Sequence, residues 1–131
     1  MTAAGRYALG ITGGPAAPSR AREAVDALLH GLLCDARRRE VLLLVSELVT
    51  NSVVHAGVGP AEKVRIEVTV DDPKVRIAVI DRGSDEAPRM RPRDRESAGG
   101  VGLFLVDEAS DDWGVERDRG RTAVWFEVHA K

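Results

Sequence analysis

The sequence predicts an α/β two-layer sandwich, and three observations carry that expectation. Apolar residues alternate with polar ones in several short stretches, two longer runs place apolar residues at helical spacing, and the strand-like stretches fall beside one another as hairpins rather than between helices. Helices and antiparallel strands segregated in this way stack as helices on one face of a sheet. The first strand is the weakest: Tyr7, Leu9 and Ile11 alternate with Ala8 and Gly10 and stop at Gly13-Gly14-Pro15. A helix is expected from Pro18-Ser19, with Ala21, Ala24, Val25, Leu28, Leu29 and Leu32 on one face, fraying between Gly31 and Asp35. Cys34, after Leu32-Leu33, reads as a small core residue near that helix end.

A second helix is expected from Asp35 to His55, with Val41, Leu44, Val45, Leu48, Val49 and Ser52 on its buried face. Its other side is unusual. Glu47 and Asn51 lie about 40° apart on the helical wheel, bordered by Leu43 and Val54 where a surface helix would carry a broad charged stripe. A carboxylate and an amide stacked within a mostly apolar helix either line a cavity or form a buried polar pair that satisfies itself or a neighbouring turn.

Gly57, Gly59 and Pro60 end that helix. Val64, Ile66, Val68 and Val70 then alternate with Arg65, Glu67 and Thr69, Asp71-Asp72-Pro73 supplies a turn, and Val75, Ile77 and Val79 return as the second strand of an antiparallel hairpin. Beyond Asp81-Arg82-Gly83, the stretch from Ser84 to Ala98 holds Met90 as its only large apolar side chain and reads as a mobile loop. Gly99-Gly100-Val101-Gly102 opens a short helix from Leu103 to Ser110, and strands at Trp113–Glu116 and Thr122–Val128 close the chain.

Composition narrows the function classes. The 131 residues are 44% hydrophobic and 31% charged, as expected for one globular domain, with 19 Lys+Arg against 21 Asp+Glu. That balance does not predict a nucleic-acid binder. No apolar run approaches the ~20 residues that span a bilayer, and Met1 to Gly14 lacks a signal pattern. One cysteine excludes an intrachain disulfide and a multi-thiolate metal site, so a reducing cytoplasm is the expected location. Asn51 is the only asparagine and there is no glutamine.

No P-loop, zinc-protease or serine-hydrolase signature is present, and Gly100-Val101-Gly102 follows a loop where a dinucleotide fingerprint needs a strand. Four linked features remain. Glu47 with Asn51 could hold a hard cation and orient a nucleophile. Asp81 ends a buried strand, where a carboxylate can accept a bond from an exocyclic amine, or simply begin a turn. The glycines from Gly99 to Gly102 open a helix and could accept an anion, or serve only as an entry turn. Thr122 starts the last strand, where its hydroxyl could bond a base or a water.

In order and spacing, these residues resemble the GHKL (Bergerat) ATPases. Ser46 to Ala56 is similar to their N box, Asp81-Arg82-Gly83 to their G1 box, and Gly99 to Val106 to their G2 box. Within that superfamily the likeness is to the bacterial anti-sigma factor serine/threonine kinases, and it runs from about Leu9 to Val128. The resemblance implies a mixed, mostly antiparallel sheet covered on one face by about three helices. It implies one histidine-kinase-like ATP-binding domain over residues 1–131, ordered from about 7 to 129, with an ATP lid at 84–98.

Carried over by position, the resemblance gives Glu47 the role of catalytic base and makes Asn51 the ligand of Mg²⁺ on the ATP phosphates. Asp81 would read the adenine amine, Gly83 would give the base room, and Thr122 would complete the pocket. Gly99, Gly100, Val101, Gly102 and Leu103 would surround the phosphates. The implied cofactors are ATP and Mg²⁺; the implied partners are a sigma factor and an anti-anti-sigma antagonist, with a homodimer also compatible. One departure stands out: the fuller G1 pattern, Asp-x-Gly-x-Gly, has Asp85 in place of its second glycine. A non-catalytic module that binds nucleotide or only sequesters partners is therefore the alternative expectation.

Overall fold

In the computed structural model the described residues are 4–82 and 105–129. They comprise β1 (Ala4–Thr12), α1 (Ala17–Leu29), α2 (Asp35–His55), β2 (Lys63–Asp71), β3 (Lys74–Asp81), helical residues at 105–109, β4 (Asp112–Asp118) and β5 (Arg121–His129). The strands form one sheet in the order β1-β2-β3-β5-β4. Every pairing among the described strands is antiparallel, so the expected mixed sheet contains no parallel pair there. The physical reason lies in the connections: β2–β3 and β4–β5 are tight hairpins, which join only antiparallel neighbours.

Alternation along the strands decides which face is covered. On β2, Val64, Ile66, Val68 and Val70 are buried; on β3, Val75, Ile77 and Val79; on β5, Val124, Phe126 and Val128. These meet Ala17, Ala21, Val25 and Leu29 of α1 and Val41, Leu44, Val45, Leu48 and Val49 of α2 in a single core. The other face carries Arg6, Arg65, Glu67, Arg76 and Trp125, with the Arg76 guanidinium 3.9 Å from the Trp125 ring centroid.

Helix α1 begins before Ser19. Pro18 sits in its first turn, where a fixed φ and a missing N–H cost nothing, and no side chain caps the helix. The turn from His30 to Cys34 passes through Gly31 at φ +85° and folds α2 back against α1. Cys34 becomes the residue just before α2 in extended conformation and is exposed, whereas Leu33 is buried. Its expected place in the core is thus incorrect: extended backbone at Cys34, just ahead of α2, turns its side chain to the opposite side from that of Leu33. Arg38 braces this turn from α2, 3.2 Å from Asp26 and 3.3 Å from Asp35.

At the other end, the β1–α1 turn packs tightly on the loop that follows α2. A Cβ on Gly13 would lie 2.5 Å from the carbonyl oxygens of both Val58 and Gly59, and the Gly14 amide donates to Val58 O at 3.0 Å.

Among the described residues Phe126 is the largest fully buried side chain, and it lies on an interior strand. Phe126→Ala is expected to lower unfolding free energy by about 3–5 kcal/mol, read from urea denaturation followed by circular dichroism.

Candidate functional site

Two rows of buried apolar side chains end in polar residues at the same edge of the core. On β3 the row Val75, Ile77, Val79 continues to Asp81, and on β5 the row Val128, Phe126, Val124 continues to Thr122. Asp81 and Thr122 are register partners, so strand alternation sets them side by side on the helix-facing side. Asp81 is half-buried. Thr122 is 4% exposed, and its Oγ1 is buried with no hydrogen-bond partner among the described residues. An unmet hydroxyl in such a place costs about 1–3 kcal/mol, which makes it a position where an incoming polar group gains more than it would at the surface.

Helix α2 supplies the second half of the arrangement. Its apolar residues fix its rotation on the sheet and leave Glu47 and Asn51 half-buried on one flank. Leu43 and Val54, 49% and 60% exposed, border them. The Thr50 hydroxyl donates to Ser46 O at 2.8 Å and is used within the helix. Among the described residues no hydrogen bond joins Glu47 to Asn51, so the pair does not satisfy itself.

The two halves are brought to the same end of the layer interface. Helix α2 contacts β3, and the residue after β3 reaches back to the helix terminus: Arg82 Nη2 donates to Ala56 O at 2.9 Å and to Gly57 O at 3.3 Å. Its Nε pairs with Glu62 Oε2 at 3.2 Å. Asn51 precedes Ala56 by five residues, which is about 7 Å along the helix axis. Sequence reasoning gave Arg82 no role, because two of its partners are main-chain carbonyls that no side-chain pattern announces.

Of the residues singled out in the sequence, Glu47, Asn51, Asp81 and Thr122 thus lie on the elements described above. Gly83, Gly99, Gly100, Val101, Gly102 and Leu103 lie outside the described residues, as do Asp85 and the expected lid at 84–98. Among the described residues no three His, Cys, Asp or Glu side chains cluster as a metal site. Mg²⁺ that arrives on phosphates keeps most of its waters and needs only one or two protein oxygens, a demand that the Asn51 side-chain oxygen suits.

The unmet Thr122 hydroxyl can be tested without any ligand. Thr122→Val keeps the side chain's shape and removes the unpartnered oxygen, so the stability of the unliganded protein is expected to stay level or rise by up to about 1 kcal/mol in urea denaturation.

Residues 12–128 match the family described as the histidine kinase-like ATPase domain. The serine-protein kinase RsbW of Listeria monocytogenes serovar 1/2a is 30% identical to this chain over 97 residues, covering 65% of this chain and 62% of the relative. The RsbW of Listeria innocua serovar 6a matches with the same identity and coverage. The chain therefore aligns with less than two thirds of the length of these relatives. Among solved structures, the RsbU and RsbW domains of Rv1364c from Mycobacterium tuberculosis match with a TM-score of 0.73 at 17% identity, over 97% of this chain and 33% of that one. That likeness shows a shared fold, and no helix among the described residues is long and apolar enough to cross a membrane. With the family match spanning most of the sequence, the chain belongs to the histidine kinase-like ATPase domain family.

Proposed function

We propose that this protein is an ATP-dependent serine/threonine protein kinase of the anti-sigma factor type, which binds a sigma factor and phosphorylates a hydroxyl on an anti-anti-sigma antagonist. The observation that carries the nucleotide part is the buried, unpartnered Thr122 Oγ1 beside Asp81, at the end of the core nearest the α2 terminus. Family membership and similarity to the Listeria serine-protein kinases support the kinase part.

In this reading Asp81 accepts a bond from the adenine amine and Thr122 bonds the base edge or a bridging water. The phosphates would lie toward α2, where the Asn51 side-chain oxygen would help to hold Mg²⁺. When bound, that ion neutralises charge on the phosphate oxygens. Glu47 accepts the proton of the substrate serine or threonine as its oxygen forms a bond to the γ-phosphorus. The bond from that phosphorus to the β–γ bridging oxygen breaks, and ADP leaves with the electron pair. Phosphoryl transfer asks the protein mainly for position and charge, which one carboxylate, one amide and a set of glycines can supply.

Two variants separate binding from transfer. Asn51→Ala is expected to fold normally and to lose Mg²⁺-dependent ATP binding. Glu47→Gln is expected to keep ATP affinity while transfer to the antagonist falls by about 10²–10⁴-fold. Both are read with radiolabelled ATP and a candidate antagonist protein. Nucleotide retained without transfer by the unmodified protein, and unaffected by Glu47→Gln, would instead favour the non-catalytic module. Wild-type ATP affinity and transfer in Asn51→Ala would remove the metal role from that residue.

A further inference from the structure

We infer that Arg82 is the positioning residue that sets the spacing between the two ends of the nucleotide site, Asp81 with Thr122 at one end and Asn51 at the other. The inference rests on the nucleotide reading above and adds to it the device that holds the two ends in register. Arg82 follows Asp81 directly in the chain, and because strand pairing already holds Asp81 beside Thr122, its contacts tie that intact end to α2. Its guanidinium spans the gap to α2. Nη2 bonds the carbonyls of Ala56 at 2.9 Å and Gly57 at 3.3 Å, and Nε pairs with Glu62 at 3.2 Å.

Those carbonyls belong to a helix terminus, where oxygens lack intrahelical partners and carry the negative end of the helix dipole. A planar cation with several fixed donors suits them better than a single ammonium. The contact is also connected to Asn51. The Ala56 and Val58 amides both donate to Ser52 O, at 3.2 and 3.3 Å, and Ser52 adjoins Asn51. Gly57 holds a left-handed conformation at φ +67°, a backbone region that other residues rarely adopt, and so lets the chain turn at the point where its carbonyl meets Nη2.

Exposure argues that this clip serves position more than stability. The Arg82 side chain is 58% exposed and Glu62 39%, and pairs that open to water contribute little to folding. A ligand that must touch both ends, ATP, should feel the loss of Arg82; a ligand that touches only the Asp81–Thr122 end, adenosine, should not.

The test compares the unmodified protein with Arg82→Ala and Arg82→Lys, using calorimetric titration with Mg-ATP and with adenosine, together with amide hydrogen exchange in the absence of ligand. Arg82→Ala is expected to weaken Mg-ATP binding about tenfold, while adenosine affinity stays within about twofold and the melting temperature holds. Arg82→Lys recovers part of the Mg-ATP affinity, since an ammonium reaches a carbonyl but cannot span all three partners. Exchange at Ala56 and Val58 quickens in Arg82→Ala. Equal losses for the two ligands, undiminished Mg-ATP affinity, or unchanged exchange at these amides each overturn the inference while leaving the nucleotide reading in place. An unmodified protein that binds neither ligand overturns that reading itself, and the inference with it.

Discussion

Among the described residues the sheet buries only one of its faces, and the positions of Asp81 and Thr122 follow from that constraint. With side chains alternating at each residue, a strand that starts on the core face returns to it at every second position. On β3 and β5 the alternation runs one step past the apolar core, and the residues it delivers there are Asp81 and Thr122. Neither can turn to the solvent side without shifting the whole register, which would expose Ile77 and Phe126. The fold therefore tolerates a buried hydroxyl with no partner, at a cost of about 1–3 kcal/mol, and a core built on Phe126, Ile77, Ile66 and Leu48 absorbs it.

The same logic, with a different period, places the groups on α2. Val41, Leu44, Val45, Leu48 and Val49 fix the rotation of the helix, and Glu47 and Asn51 fall on its flank rather than in the core or fully in water. Half-burial strengthens the field of a carboxylate or amide without excluding a ligand. Two independent periodicities, of strand and helix, thus aim polar groups at one end of a shared interface, and the Arg82 contacts hold that end together.

Much of this arrangement was legible in the sequence wherever a period was strong. The limits of α2 and the β2–β3 hairpin agree with their apolar spacing to within a residue or two, and the flanking place of Glu47 and Asn51 follows from the helical wheel alone. What local pattern does not carry is pairing across distance. That Asp81 stands opposite Thr122 depends on β3 pairing with β5 across a long intervening segment, and only the resemblance to a known family anticipated that they belong together. The exposure of Cys34 is also not legible, because it depends on where the chain leaves the turn and becomes extended ahead of α2. Arg82 was passed over because main-chain carbonyls leave no mark in a sequence.

In the proposed function Asn51 and the Asp81–Thr122 pair serve one ligand, with the phosphates and their cation at one end and the base at the other. The most direct measurement is a calorimetric titration of the unmodified protein with ATP, once with Mg²⁺ and once with a chelator. Binding is expected to be strong with the ion and clearly weaker without it. ATP binding indifferent to Mg²⁺, or no binding in either condition, would contradict it.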